Sequence, residues 1–151
     1  MPYADWAGAT RVLMDALNDL ADGEFLILGE PSPAPGRRAR LLSRQSSRAT
    51  SRYVQAIRIE GILSAECVGA TSLGGTWAMP DLTIEHLRGM GWLTPAETRS
   101  AYGNHTPNFE LFAEATDAPA LAELMLTSLA LLGAQPEDLV LQTSGSSALY
   151  G

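Results

Sequence analysis

Residues 69–76 read Gly-Ala-Thr-Ser-Leu-Gly-Gly-Thr, which sets Gly69, Gly74 and Thr76 in the register of the phosphate-binding loop G-x-x-x-x-G-K-[ST]. In that loop, backbone N–H groups cradle the phosphates and a lysine reaches the β- and γ-phosphates. Position 75 is Gly, and the chain contains no lysine that could stand in. A cradle also needs a helix straight after the loop, so that the helix N-terminus faces the anion. Here Trp77-Ala78-Met79-Pro80 intervenes before any helical pattern. GATSLGGT is therefore expected to be a flexible link from strand to helix, its glycines supplying unusual backbone angles.

The other chemically able residues are scattered. Cys67 and His86 would make a thiol nucleophile and base only if they met in a polar site. Cys67 shares its parity with Leu63 and Ala65 inside an apolar strand pattern, so it is expected to be buried. His86 is expected on a helix surface and His105 in a loop; two isolated histidines do not make a metal site. Glu110 and Glu114 fall on one strand face, where alternation toward solvent explains them without acid-base chemistry. Asn104-His105-Thr106 matches a glycosylation acceptor by chance. No catalytic residue, metal ligand or cofactor site is expected.

The elements that would position these residues follow from periodicity. Asp5 precedes Trp6, Ala9, Leu13, Ala16, Leu17 and Leu20 at helical spacing, and Asp22-Gly23 closes that helix. Residues 24–30 read as a buried strand. Residues 31–36 hold three prolines, which forbid strand or helix interior. Residues 52–59 alternate, with Tyr53, Gln55, Ile57 and Ile59 on one face and Val54, Ala56 and Arg58 on the other. Glu60-Gly61 then supplies a hairpin turn into a return strand over 62–68. A short helix is expected over 82–92, capped by Thr83, stapled by Leu82 and Leu87 and ended by Gly91. Residues 93–107 look turn-like. A strand over 108–115, a helix begun by Asp117 and Pro119 and ended by Gly133, and a strand over 139–143 complete the order. This predicts an α+β, two-layer architecture with a mainly antiparallel sheet and helices packed on one face. It is organised as one domain over 1–143, with 31–51 an insertion or flexible loop and 144–151 a disordered tail.

Charge separates the chain into two parts. Its 151 residues carry 10 basic and 17 acidic side chains. Every basic one is arginine, and seven of the ten lie between 37 and 58: Arg37, Arg38, Arg40, Arg44, Arg48, Arg52 and Arg58. No acid falls in that window, so the rest balances at 3 − 17 = −14. An acidic body repels nucleic acid at long range, while a basic segment attracts it locally. The segment is read first as a solvated loop, and as an alternative a regulatory module using 37–58 to bind nucleic acid or an acidic protein. Nucleic acid is not the expected partner, since Tyr53 is the one aromatic nearby for stacking. No apolar run reaches the ~18 residues of a membrane span. The opening MPYADWAGATRVL lacks a basic start and apolar stretch, and one cysteine allows no internal disulfide, so a cytoplasmic protein is expected.

An ordered set of short pieces carries a family likeness. There is Asp5-Trp6 in an opening amphipathic helix, the strand FLIL, RYVQ at 52–55 and SAECVG at 64–69. Gly91-Trp92 follows with Pro95 close behind, and then Pro107-Asn108-Phe109. Over most of residues 3–143 the chain resembles the TY-Chap group, proteins similar to type III secretion chaperones and to YbjN-like proteins. It departs from that pattern in the length of 31–51 and in having the GATSLGG stretch after the return strand. The resemblance implies a type III secretion chaperone-like fold that performs no catalysis and holds or regulates another polypeptide, a homodimer gripping an extended client segment. On that basis Tyr53, Gln55, Glu66, Trp92 and Asn108 become candidate partner contacts, joined by Arg37, Arg38 and Arg40 of the basic segment. Each motif position also has a purely structural explanation. Tyr53 and Trp92 suit a core, Gln55 and Glu66 suit a cross-hairpin pair, and Asn108 suits a loop cap.

Overall fold

Apolar residues at helical spacing behind an Asp build the first element, α1 (Trp6–Asp19). The Asp5 carboxylate accepts the Gly8 N–H at 2.8 Å, satisfying one of the donors that every helix start leaves open. Ala9, Leu13 and Leu17 form its buried stripe. In this computed structural model the described residues are 5–30, 52–68, 80–102 and 108–144. The expectations placed on 31–51, on GATSLGGT, on His105 and on 145–151 lie outside them.

β1 (Phe25–Gly29) pairs antiparallel with β2 (Tyr53–Ile59), which turns through Glu60 and Gly61 into β3 (Ile62–Cys67). The turn residues have φ 51° and 81°, the left-handed pair a two-residue hairpin needs. β4 (Phe109–Glu114) adds beside β3, and β5 (Val140–Thr143) beside β1. The order is β4-β3-β2-β1-β5, antiparallel throughout. Ser144, expected in the tail, continues the last pairing: its N–H reaches the Phe25 carbonyl at 2.9 Å.

Two links follow rules that spacing alone hid. α2 (Asp81–Gly89) starts at Pro80, not at a Thr83 cap, and no side chain caps it. Proline fixes φ, here −60°, and needs no N–H partner, so the helix begins earlier than expected. Leu82 is consequently 69% exposed and staples nothing. Residues 95–102, read as turn-like, form α3 (Pro95–Tyr102). Thr94-Pro95-Ala96-Glu97 is a capping box with proline at the first helical position. The Glu97 N–H donates to Thr94 Oγ1 at 3.1 Å, and the Thr94 N–H to Glu97 Oε1 at 2.9 Å. Hydrogen bonding from Arg88, then from the Thr94 N–H, lowers the Glu97 carboxyl to about 2.

Between α2 and α3 the chain ends one helix and enters the core in three residues. Gly91 has φ 115°, its N–H bonds the Arg88 carbonyl, and the Trp92 N–H bonds that of Leu87. This is the glycine-terminated helix end whose next residue packs on the last turn, and Trp92 and Leu87 are both fully buried. Leu93 then exchanges both backbone bonds with Glu110 at 2.8 and 3.0 Å. Glu110, assigned to a solvent face by alternation, is therefore covered and only 6% exposed.

α4 (Ala118–Leu131) packs beside α1, and the main core lies between these helices and one face of the sheet. Leu26, Leu28, Val54, Ala56, Leu63, Ala65 and Cys67 point into it with Leu13, Leu121, Met125 and Leu129. Burying each Leu or Val side chain stabilises by about 1.5–3 kcal/mol. The fold is thus α+β, two-layered and antiparallel. One expectation fails here: β1 is buried on one face only, because Phe25 and Ile27 stand on the other.

The two residues bounding 31–51 are joined directly. The Glu30 N–H bonds the Arg52 carbonyl at 2.9 Å, and the Arg52 N–H bonds Glu30 Oε1 at 3.0 Å. Arg52 Nη1 reaches Glu30 Oε2 at 2.9 Å, while its Nε bonds the Leu132 carbonyl at 2.8 Å after α4.

Candidate functional site

Strand alternation gives Cys67 to the helix-covered face, and burial pushes its thiol up to about 12. A thiol that remains protonated in an apolar core is a packing residue and a poor nucleophile. His86 lies exposed on α2, in another layer of the molecule. Among the described residues no group of three or more His, Cys, Asp or Glu side chains could hold a metal ion. None of these residues has moved toward another to form a reaction centre.

Register brings four of the five motif positions together instead. Gln55 stands opposite Glu66 across the hairpin, as a cross-strand pair would. Asn108, at the mouth of β4, donates its amide N–H groups to Glu66 Oε1 at 2.8 Å and to the Tyr53 hydroxyl at 3.1 Å. Tyr53 is half-buried and packs against the margin of the core. It pairs with Gly29 on β1, where a Cβ would lie 2.4 Å from its own Cβ. Only glycine permits that approach. Tyr53, Gln55, Glu66 and Asn108 thus form one polar cluster at one end of the face opposite the helices.

Trp92 is not part of that cluster. It is 1% exposed, and its indole N–H donates to Ser128 Oγ at 2.8 Å; Ser128 in turn donates to the Leu124 carbonyl at 2.8 Å. A buried indole needs such an acceptor, and the pair fastens the α2–α3 link to α4. Arg37, Arg38 and Arg40 lie outside the described residues.

The rest of the open face is apolar. Phe25 (41%), Ile59 (52%), Ile62 (40%) and Phe112 (43%) are exposed there, with Ile27 and Ile57 half-exposed between them. A hollow of about 410 Å³ lies among Phe25, Ile27, Gln55, Ile57, Ser64 and Glu66. Adjacent exposed apolar side chains on one sheet face mark a contact surface far better than a scattered few. These residues carried a readable signal: both parities are apolar in Phe25-Leu26-Ile27, in β2 (Val54 and Ala56 against Ile57 and Ile59) and at Ile62-Leu63, so one set had to face away from the helices. A second hollow of about 640 Å³ runs between the outer sides of α1 and α4, walled by Trp6, Thr10 and Met14 on one helix and Glu123, Leu126 and Ala130 on the other. The two hollows have the character of binding surfaces, wide and lined mainly by side chains without catalytic chemistry.

No helix among the described residues is long and apolar enough to cross a membrane. Searches of curated proteins and of solved structures each found no match. Residues 2–146 match the family TY-Chap3, the T3SS (YopN, CesT) and YbjN peptide-binding chaperone 3. The match runs through the first helix, the sheet with its open face and the last strand, and the chain belongs to that family of peptide-binding chaperones.

Proposed function

We propose that this protein is a non-enzymatic cytoplasmic binding protein that holds or regulates another polypeptide, taking an extended segment of it on the open face of the sheet. The observation that carries this is the apolar face itself. Phe25, Ile27, Ile57, Ile62 and Phe112 cover one side of a sheet whose other side already supplies the core. An extended segment laid on that face buries alternate side chains at the ~6.8 Å repeat of a strand, which suits rows of side chains projecting from strands below. The polar cluster of Tyr53, Gln55, Glu66 and Asn108 closes one end of the apolar area and supplies acceptors for orientation. Cys67, a lone buried thiol, fits a reducing compartment.

The test is binding of a fluorescein-labelled, chemically unfolded polypeptide, read by anisotropy. The double variant Phe25→Ser, Ile57→Ser should keep the wild-type circular dichroism spectrum and lose most of the affinity. If both proteins bind alike, or neither binds, the assignment of this face is wrong.

We also propose that the protein acts as a homodimer through the hollow between α1 and α4. Arg11 on one wall and Glu123 on the other make the patch able to complement a second copy of itself about a two-fold axis. Light scattering at tens of micromolar should give twice the chain mass, and Met14→Glu should halve it; a monomeric wild type ends the idea.

A further inference from the structure

The face that binds also has a sign. Its upward-pointing residues in register are Phe25, Ile57, Ser64 and Phe112 in one row. Ile27, Gln55, Glu66 and Glu110 form the next row, and Ile59, Ile62 and Glu114 flank on the other side. Among the described residues the strands present Glu66 and Glu114 to solvent on this face, Glu110 being covered, and they place neither arginine nor histidine there. Of the arginines, Arg11 lies on α1, Arg88 on α2 and Arg99 on α3, while Arg52 bonds Leu132 and Arg58 bonds Leu20 on the helix side. The whole chain carries a net charge of −7, so its long-range field favours cationic over anionic partners.

Resting on the peptide-holding function above, we propose that the open face selects a cationic segment. In this segment, apolar side chains precede an arginine or lysine at every second position, the pattern apolar-x-apolar-x-Arg/Lys in either chain direction. Residues two apart along an extended segment are separated by ~6.8 Å, the same interval that separates successive rows of the sheet. Two apolar side chains then sit over the Ile59/Ile62 and Ile57/Ser64 rows, and the third position reaches the Gln55/Glu66 row. Glu66 is fixed there: Asn108 donates to Oε1 at 2.8 Å, and the side chain lines the hollow. A carboxylate held in place beside an apolar floor gains more from a cation than a mobile one does. An acidic segment, a nucleic acid or an anionic lipid surface meets repulsion at the same position.

The experiment uses the full chain and three labelled twelve-residue peptides that share alternating leucines and differ in carrying Arg, Gln or Glu at the third position. Anisotropy at about 0.05 M salt should place the Arg peptide roughly tenfold tighter than the Gln peptide, with the Glu peptide weakest. Glu66→Gln preserves the acceptor for Asn108 and removes the charge, so it should shrink the preference for the Arg over the Gln peptide below about threefold. Equal affinity for all three peptides, each abolished by Ile57→Ser, would overturn charge selection and leave peptide holding intact. No binding of any peptide would remove both. Self-association that Ile57→Ser abolishes, with no peptide bound, would overturn the proposal in favour of a second copy on this face.

Discussion

The two faces of one sheet are built from alternate residues of the same strands, yet they do different work. Leu26, Leu28, Val54, Ala56, Leu63 and Ala65 are all buried under α1 and α4. Their neighbours Phe25, Ile27, Ile57 and Ile62 are comparably apolar and remain accessible. Folding accounts for the first set, because without it there is no core. It does not account for the second, since an antiparallel sheet with one solvated face ordinarily alternates apolar and polar residues. Apolar residues beyond what the core needs imply a surface maintained for contact.

That contrast can be broken in five ways, in decreasing order of effect. The sharpest uses thiols. At pH 8 the buried Cys67, with its thiol at about 12, has a thiolate fraction of about 10⁻⁴. A cysteine introduced by Ile57→Cys would titrate near the ordinary ~8.5 and be ~10³-fold more reactive. Mass-spectrometric mapping of iodoacetamide adducts on the folded chain should find only the introduced thiol modified; comparable labelling of Cys67 would mean the covered face is not sealed. Leu63→Ala, on that face, should lower stability by about 2–5 kcal/mol in urea unfolding. Ser128→Ala leaves the buried Trp92 N–H without its acceptor and should cost about 1–3 kcal/mol by the same measurement. Thr94→Ala removes the α3 cap, away from both faces, and should cost about 1 kcal/mol. The Glu97 share of that cap is fully present above pH 4.5 and is lost as the pH falls through about 2, so part of the wild type's advantage should fade in acid. Smallest of all, Ile62→Thr on the open face should change stability by no more than about 0.5 kcal/mol. A loss as large as that of Leu63→Ala would show that the open face is a second core and not a contact surface.

The sequence announced local structure better than it announced the site. Asp5 before its apolar stripe, Glu60-Gly61 between alternating runs, and Gly91 and Gly133 after their helices each act within a few residues, so their effects could be read directly. The Thr94–Glu97 box was equally local, but the polar residues of 95–102 disguised it as a turn. The staple assigned to Leu82 failed because Pro80 had already fixed where α2 begins. What lies beyond local spacing was less visible. Asn108 meets Tyr53 and Glu66 only after three strands are in register, and Trp92 meets Ser128 from 36 residues away. Alternation placed Gln55 and Ile57 on a common face without saying which face the helices would cover. The likeness to the family singled out Tyr53, Gln55, Glu66 and Asn108 before geometry could explain them; it also singled out Trp92, whose place is structural.

The bonds between Glu30 and Arg52 give the fold a seam for protein engineering. Because residues 30 and 52 are held side by side and anchored to the Leu132 carbonyl, chain spliced between them should cost the domain little. Doubling a closed loop adds only about 0.6 kcal/mol of entropic cost. A fluorescent label, an epitope or an entire guest domain grafted there should leave the sheet intact, giving a reporter at one end of the open face.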